Sequence, residues 1–231
     1  MCGPRRPRGT YNPGVLTALN YLGIAAFAAS GALMGVRKRL DAFAIWTLAV
    51  LTGLGGGIAR DVMLGVTPPL SFKGWENLTV ATATAAVVFF FHPQFGAVRR
   101  TVDVLDAFGV ALFTSTGALV ALHSGTSLFA AALIGVTTGL GGGILRDVLV
   151  NEVPLLIQSG EMVAIPALAG AGLTVAIDDL GGGQDWALVV GTAVAFGFRM
   201  LVMWRGWSAP QAPSDLWGTV AARVRRGGRR R

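Results

Sequence analysis

Apolar residues in this chain do not alternate with polar ones; they run on. Seven stretches dominated by Ala, Val, Leu, Ile, Phe and Gly lie at 14–36, 42–66, 77–92, 102–122, 128–150, 160–178 and 185–204. Charges, prolines or glycines interrupt them, among them Arg37-Lys38-Arg39-Leu40-Asp41, Pro68-Pro69, His92-Pro93, Arg99-Arg100, His123-Ser124-Gly125, Asn151-Glu152-Val153-Pro154 and Asp178-Asp179. Crossing a bilayer takes about 20 mostly apolar helical residues. Inside the hydrocarbon only helices and closed barrels satisfy their own backbone. The pattern therefore predicts an all-α integral membrane protein with seven transmembrane helices. The third run is short and rich in threonine (Thr79, Thr82, Thr84), which makes it the weakest of the seven. The first is too long for a cleavable signal peptide and is followed by runs of the same character.

Composition agrees with the pattern. Hydrophobic residues make up 53% of the 231 and charged residues 13%, about half the share of a soluble domain. Such a chain is neither a soluble globule nor disordered, and a single cysteine, Cys2, forms no disulfide scaffold. The few charges sort by position. With the N-terminus outside, cytoplasmic segments hold Arg37, Lys38, Arg39, Arg99, Arg100, Arg205 and six arginines between Arg223 and Arg231, twelve in all. The outer segments hold four: Arg5, Arg6, Arg8 and Lys73. The positive-inside rule then puts the N-terminus outside a cell membrane and the C-terminus in the cytoplasm.

The chain also repeats itself at an offset of 86 residues. Gly53-Leu54-Gly55-Gly56-Gly57-Ile58-Ala59-Arg60-Asp61-Val62 returns as Gly139-Leu140-Gly141-Gly142-Gly143-Ile144-Leu145-Arg146-Asp147-Val148, with nine of ten positions identical. The same offset pairs Gly23 with Gly109, Phe27 with Phe113, Thr52 with Thr138 and Pro68 with Pro154. Three helices per copy is an odd number, so the second copy enters the membrane from the opposite side. The expected architecture is an inverted 3+3 repeat plus a seventh helix. Its divisions are an outer N-terminal tail (1–13), a first repeat (14–92), a second, inverted repeat (102–178), a seventh helix (185–204) and a basic cytoplasmic tail (205–231). Inverted repeats of this kind place a transport path at their interface.

Gly55-Gly56-Gly57 and Gly141-Gly142-Gly143 lie deep in their apolar runs. Each glycine costs about 1 kcal/mol of helix propensity relative to alanine, so a triplet marks a helix that kinks or opens. Freed carbonyls at that depth can replace part of a cation's hydration shell. Close packing alone is the competing reading, because small residues four apart let helices approach. One turn beyond each triplet come Arg60-Asp61 and Arg146-Asp147, and ionised residues within spans face a partner or a cavity. Neighbours in sequence do not share a helix face, so the expected pairs cross between helices, Arg60 with Asp147 or Arg146 with Asp61. Ser30, Thr52, Thr116 and Thr138 add symmetric hydroxyls to this polar lining, with Thr114, Ser115 and Thr137 nearby. Asp106 corresponds to Asn20 across the repeat and gives only a weak signal.

The twin Gly-Leu-Gly-Gly-Gly-x-x-Arg-Asp motifs, on the second and fifth of seven helices, resemble the trimeric intracellular cation channel family. The closer likeness is to its prokaryotic branch, whose domain is also labelled a glycine transporter. The resemblance covers roughly residues 14–204. It implies a homotrimer in a lipid membrane, each protomer with its own pore for monovalent cations such as K⁺ and Na⁺. The pore would be lined by kinked helices two and five with helices one and four, the two glycine triplets being the kinks. Animal members follow the first triplet with a Lys-Glu-Val segment that binds inositol lipids. Here Ile58-Ala59-Arg60-Asp61 stands in its place, so bound lipid is expected without that site.

The expected function is thus a monovalent cation channel, with a secondary transporter of a small solute such as glycine as the alternative. No nucleophile–base set suggests an enzyme. No His, Cys or carboxylate spacing resembles a metal site, and no cofactor is expected. The arginine-rich tail lacks the interleaved aromatics of a nucleic-acid module and reads as a topology anchor at anionic headgroups.

Overall fold

The computed structural model describes residues 13–92, 98–158 and 162–208. Among them lie seven α-helices: α1 (Pro13–Arg37), α2 (Ala42–Met63), α3 (Glu76–Phe91), α4 (Val98–His123), α5 (Leu128–Leu149), α6 (Ala164–Asp179) and α7 (Gln184–Arg205). A single 3-10 turn, Leu70–Phe72, joins α2 to α3, and the described residues include no strand. Five helices are long and apolar enough to cross a membrane; α3 and α6 have 16 residues each. Sixteen residues rise about 24 Å, short of a hydrocarbon core of about 30 Å. The outer tail at 1–12 and the arginine-rich tail from 209 onward lie outside the described residues.

Local chemistry explains where the helices start and stop. Asp41 caps α2 by accepting from the Ala44 amide at 2.8 Å, and Ser127 caps α5 by accepting from the Ala130 amide at 3.3 Å. These caps stand 86 residues apart, as do the turns that precede and end the helices. Arg39 and Gly125 take positive φ (56° and 90°) before α2 and α5, and Gly65 and Asn151 (70° and 56°) after them. That left-handed turn ends α2 at Met63, earlier than the apolar run alone predicts. Two of the three threonines of the third run bond within their own helix and the third reaches α2. Thr79 and Thr84 donate to the carbonyls of Trp75 and Val80, and Thr82 accepts from Trp46 Nε1 at 3.0 Å, tying α3 to α2.

Helices α1 and α4 form the centre. α1 packs on α2, α3 and α4; α4 packs on α1, α5, α6 and α7; α2 also lies along α5. Phe27, Leu33, Leu112, Leu119 and Leu122 are fully enclosed, and the Phe27 and Phe113 rings meet at 5.4 Å. Large apolar side chains such as Phe43, Phe90, Phe129 and Trp186 point outward, as suits a bundle whose solvent is lipid.

Candidate functional site

The glycine triplets do not open their helices. α2 and α5 run as unbroken α-helix through both, which corrects the expectation of opened backbone. The glycines instead bring two backbones together. A Cβ at Gly56 would land on the carbonyl oxygen of Thr138, and one at Gly142 on the carbonyl oxygen of Thr52. One at Gly141 would lie 3.3 Å from the Gly56 Cα. The same two threonines back onto glycines of the central helices: Cβ atoms at Gly31 and Gly117 would sit 2.7 Å from Thr52 and Thr138 Oγ1. The contacts of Gly56 and Gly142, and those of Gly31 and Gly117, are therefore reciprocal across the two halves. Gly55 faces the Leu145 side chain, Gly57 the Ser71 hydroxyl and Gly143 the Asp106 carboxylate.

The hydroxyls divide by role. Thr52 and Thr138 donate to the Leu48 and Ile134 carbonyls at 2.6 Å, and Thr116 donates to Leu112 at 2.8 Å. Their protons are spent within their own helices, which leaves only lone pairs for any other partner. Ser30 differs: its oxygen accepts from Arg146 Nη1 at 2.5 Å. Thr114 and Ser115 are buried, and their hydroxyls meet no partner among the described residues. Thr137 lies on the exposed face of α5 and bonds to Leu133, so it is no part of an interior lining.

The arginines pair differently from the expected cross-helix exchange. Arg60 Nε and Nη2 donate to Asp61 Oδ1 at 2.9 and 2.7 Å. Arg146 Nε and Nη2 reach Asp147 Oδ1 at 2.9 and 2.8 Å. An arginine is long enough to fold back beside the carboxylate that follows it, which a helical wheel of Cβ positions does not capture. Neither Arg60–Asp147 nor Arg146–Asp61 forms. The second oxygen of each aspartate holds the next segment: Asp61 Oδ2 accepts from the Leu70 amide at 2.7 Å, and Asp147 Oδ2 from the Leu155 amide at 3.1 Å. Each Arg-Asp motif thus closes the turn after its helix. The carboxylate that does reach across helices is Asp106 on α4, whose Oδ1 accepts from Arg146 Nη1 at 2.5 Å. Sequence reasoning undervalued it. The available signal was a lone carboxylate inside an apolar span, a costly placement without a partner. Its counterpart Asn20 bonds to Asn77 on α3 at 3.2 Å instead.

Two cavities flank this centre. One, of about 220 Å³, is lined by Asn20, Tyr21, Arg60, Ser71, Asn77 and Thr116, at the start of α1 and the end of α4. The other, of about 290 Å³, is lined by Arg37, Arg99, Asp103, Arg146, Asp147 and Glu152, at the opposite ends of the same two helices. Between them stand Phe27 and Phe113, each ring packed on a glycine of the facing helix, Gly109 and Gly23. At the rim of the second cavity Lys38 Nζ meets Glu152 Oε1 at 2.7 Å, joining the α1–α2 turn to the α5–α6 segment. That hydrogen bond holds the Glu152 carboxyl below its ordinary pKa. His123 and Asp178 form a corresponding link at the other end, at 3.0 Å.

Comparison with known proteins follows the same lines. The family model described as glycine transporter matches twice, over residues 17–93 and 103–179, and the two matches begin 86 residues apart. A UPF0126 membrane protein of Deinococcus radiodurans is 41% identical over 155 residues, 67% of this chain and 72% of its own. The solved trimeric intracellular cation channel orthologue from Rhodobacter sphaeroides superposes with a TM-score of 0.80 at 36% identity, covering 83% of this chain and 98% of that one. A structure described as giving the basis for conductance through TRIC cation channels superposes at 0.76 with 33% identity, covering 85% of this chain and 97% of that one. The chain is a multi-pass membrane protein, and with its twin motifs and this fold it belongs to the trimeric intracellular cation channel family, in the prokaryotic branch that the glycine-transporter model describes.

Proposed function

We propose that the protein is a monovalent cation channel, conducting K⁺ or Na⁺ through a path inside each protomer between α1, α2, α4 and α5. The observation that carries this reading is the pair of polar cavities lined by opposite ends of α1 and α4. Between them stand two phenylalanine rings and the Arg146 cluster. Charge favours cations at the buried centre, where three carboxylates (Asp61, Asp106, Asp147) stand with two guanidiniums (Arg60, Arg146). In a low-dielectric setting one excess carboxylate suffices to prefer a cation over an anion. On this reading the Phe27–Phe113 pair closes the path, and conduction requires the two rings to part.

The antiparallel course of α1 and α4 and the reciprocal glycine contacts support an inverted repeat of 14–92 and 102–178 followed by a seventh helix at 185–204. The solved relatives described as trimeric support a homotrimer. The arginine and lysine distribution supports an outer N-terminus and a cytoplasmic C-terminus. The permeant ions need no resident cofactor.

Purified protein in a planar bilayer under a KCl gradient tests the reading. Discrete ohmic steps with a reversal potential set by K⁺ rather than Cl⁻ are expected. The description of the matched family favours one second reading, a secondary transporter of a small solute such as glycine. Saturable, coupled uptake into vesicles with no unitary current would establish that reading and overturn the channel.

A further inference from the structure

The two arginines occupy corresponding positions of the repeat, yet their guanidiniums are filled to different extents. All three guanidinium nitrogens of Arg146 are engaged: Nε and Nη2 hold Asp147, and Nη1 holds both Ser30 and Asp106. Arg146 is 1% exposed. Arg60 spends only Nε and Nη2, both on one oxygen of Asp61. Its Nη1 donates to no group among the described residues, and the side chain borders the 220 Å³ cavity. The reason lies in two substitutions across the repeat. Where Arg146 finds Asp106, the corresponding residue is Asn20, and where it finds Ser30, the corresponding residue is Thr116. Asn20 turns to Asn77, and Thr116 bonds within its own helix.

The fold thus displays its own template. At Arg146 the Nη1 position is occupied by a carboxylate from α4; at Arg60 the corresponding carboxylate is missing and a cavity stands in its place. We propose that the Arg60 cavity binds a small carboxylate solute, whose oxygens take at Arg60 Nη1 the place that Asp106 takes at Arg146. A planar guanidinium with unspent donors beside a cavity matches a carboxylate by geometry as well as charge. Asn20, Asn77, Tyr21 and Ser71 surround the site with neutral polar groups, so no protein carboxylate other than the already engaged Asp61 competes for it. The cavity volume of about 220 Å³ is ample for a small carboxylate such as acetate. Because the cavity also opens one end of the proposed ion path, an occupant would obstruct it.

The test is equilibrium binding of ¹³C-acetate to the purified full-length protein in detergent, followed by NMR line broadening, with acetamide as the uncharged isostere. Saturable binding of acetate is expected, with acetamide failing to displace it. Asn20→Asp should supply the missing carboxylate from within and weaken acetate binding at least tenfold, and Arg60→Lys should do the same by removing the fork. Gly172→Ala, which borders neither cavity, should leave acetate binding unchanged. No saturable binding to the wild type overturns the proposal, as does binding that survives both Asn20→Asp and Arg60→Lys or that acetamide displaces equally. Since the readout is binding and not current, its failure leaves the channel reading standing, and absence of unitary currents leaves the carboxylate site standing.

Discussion

At the scale of single residues, Asp106 matters most to the charged centre. A carboxylate 5% exposed within a span is unfavourable unless paired, and it is paired with a guanidinium that already holds a second carboxylate. Replacing Asp106 with Asn keeps the shape and removes the charge. Arg146 retains Asp147 and Ser30, so the expected cost is that of one charged hydrogen bond, about 1–3 kcal/mol, read as a lower thermal midpoint in detergent. An unchanged midpoint would show that the bond contributes nothing to folding. In the sequence this residue stood out only as an aspartate in an apolar run, because its partner lies 40 positions away on another helix.

Among elements, the crossing of α2 and α5 depends on glycines that the triplet pattern located correctly and explained only in part. Gly56→Ala and Gly142→Ala each gain about 1 kcal/mol of helix propensity. Both place a methyl on the opposing backbone, where nothing flexible can yield, so a net loss of about 1–3 kcal/mol is expected. Gly172→Ala on α6 meets nothing within 4 Å and should be neutral or stabilising by up to about 1 kcal/mol. Unfolding of the three variants side by side separates packing from propensity. The same crossing means that a leucine at Gly56 or Gly142 should disturb assembly along with permeation. Between the loops, the Lys38–Glu152 link is about one-third exposed and contributes less than about 1 kcal/mol. Because the Glu152 carboxyl titrates below its ordinary range, that contribution is fully present above the range and is lost as pH falls through the lowered value. Glu152→Gln should therefore lower stability by less than about 1 kcal/mol at neutral pH, leave it unchanged in acid, and so flatten the acid limb of the profile.

For the whole molecule, orientation is the property most open to direct measurement. In a Cys2→Ser background, a cysteine at position 73 should react with a membrane-impermeant maleimide on intact cells, and a cysteine at position 38 only after permeabilisation. The reverse pattern would invert the proposed topology and with it the side on which each cavity opens.

The sequence by itself determined the solvent, the helices and the repeat. Hydrophobicity is a sum over neighbouring residues, so seven apolar runs and their caps are local facts, and an offset of 86 is visible wherever two copies have diverged little. It also located the glycines and the Arg-Asp motifs. Only the tertiary structure decided that the glycine helices stay closed, that each arginine folds onto its own neighbour, and that Arg146 and not Arg60 has a carboxylate from across the bundle. Those outcomes depend on how closely two helices approach and which side chains then face each other. Distance across a bundle is set by packing between segments far apart in the chain, and no local pattern encodes it.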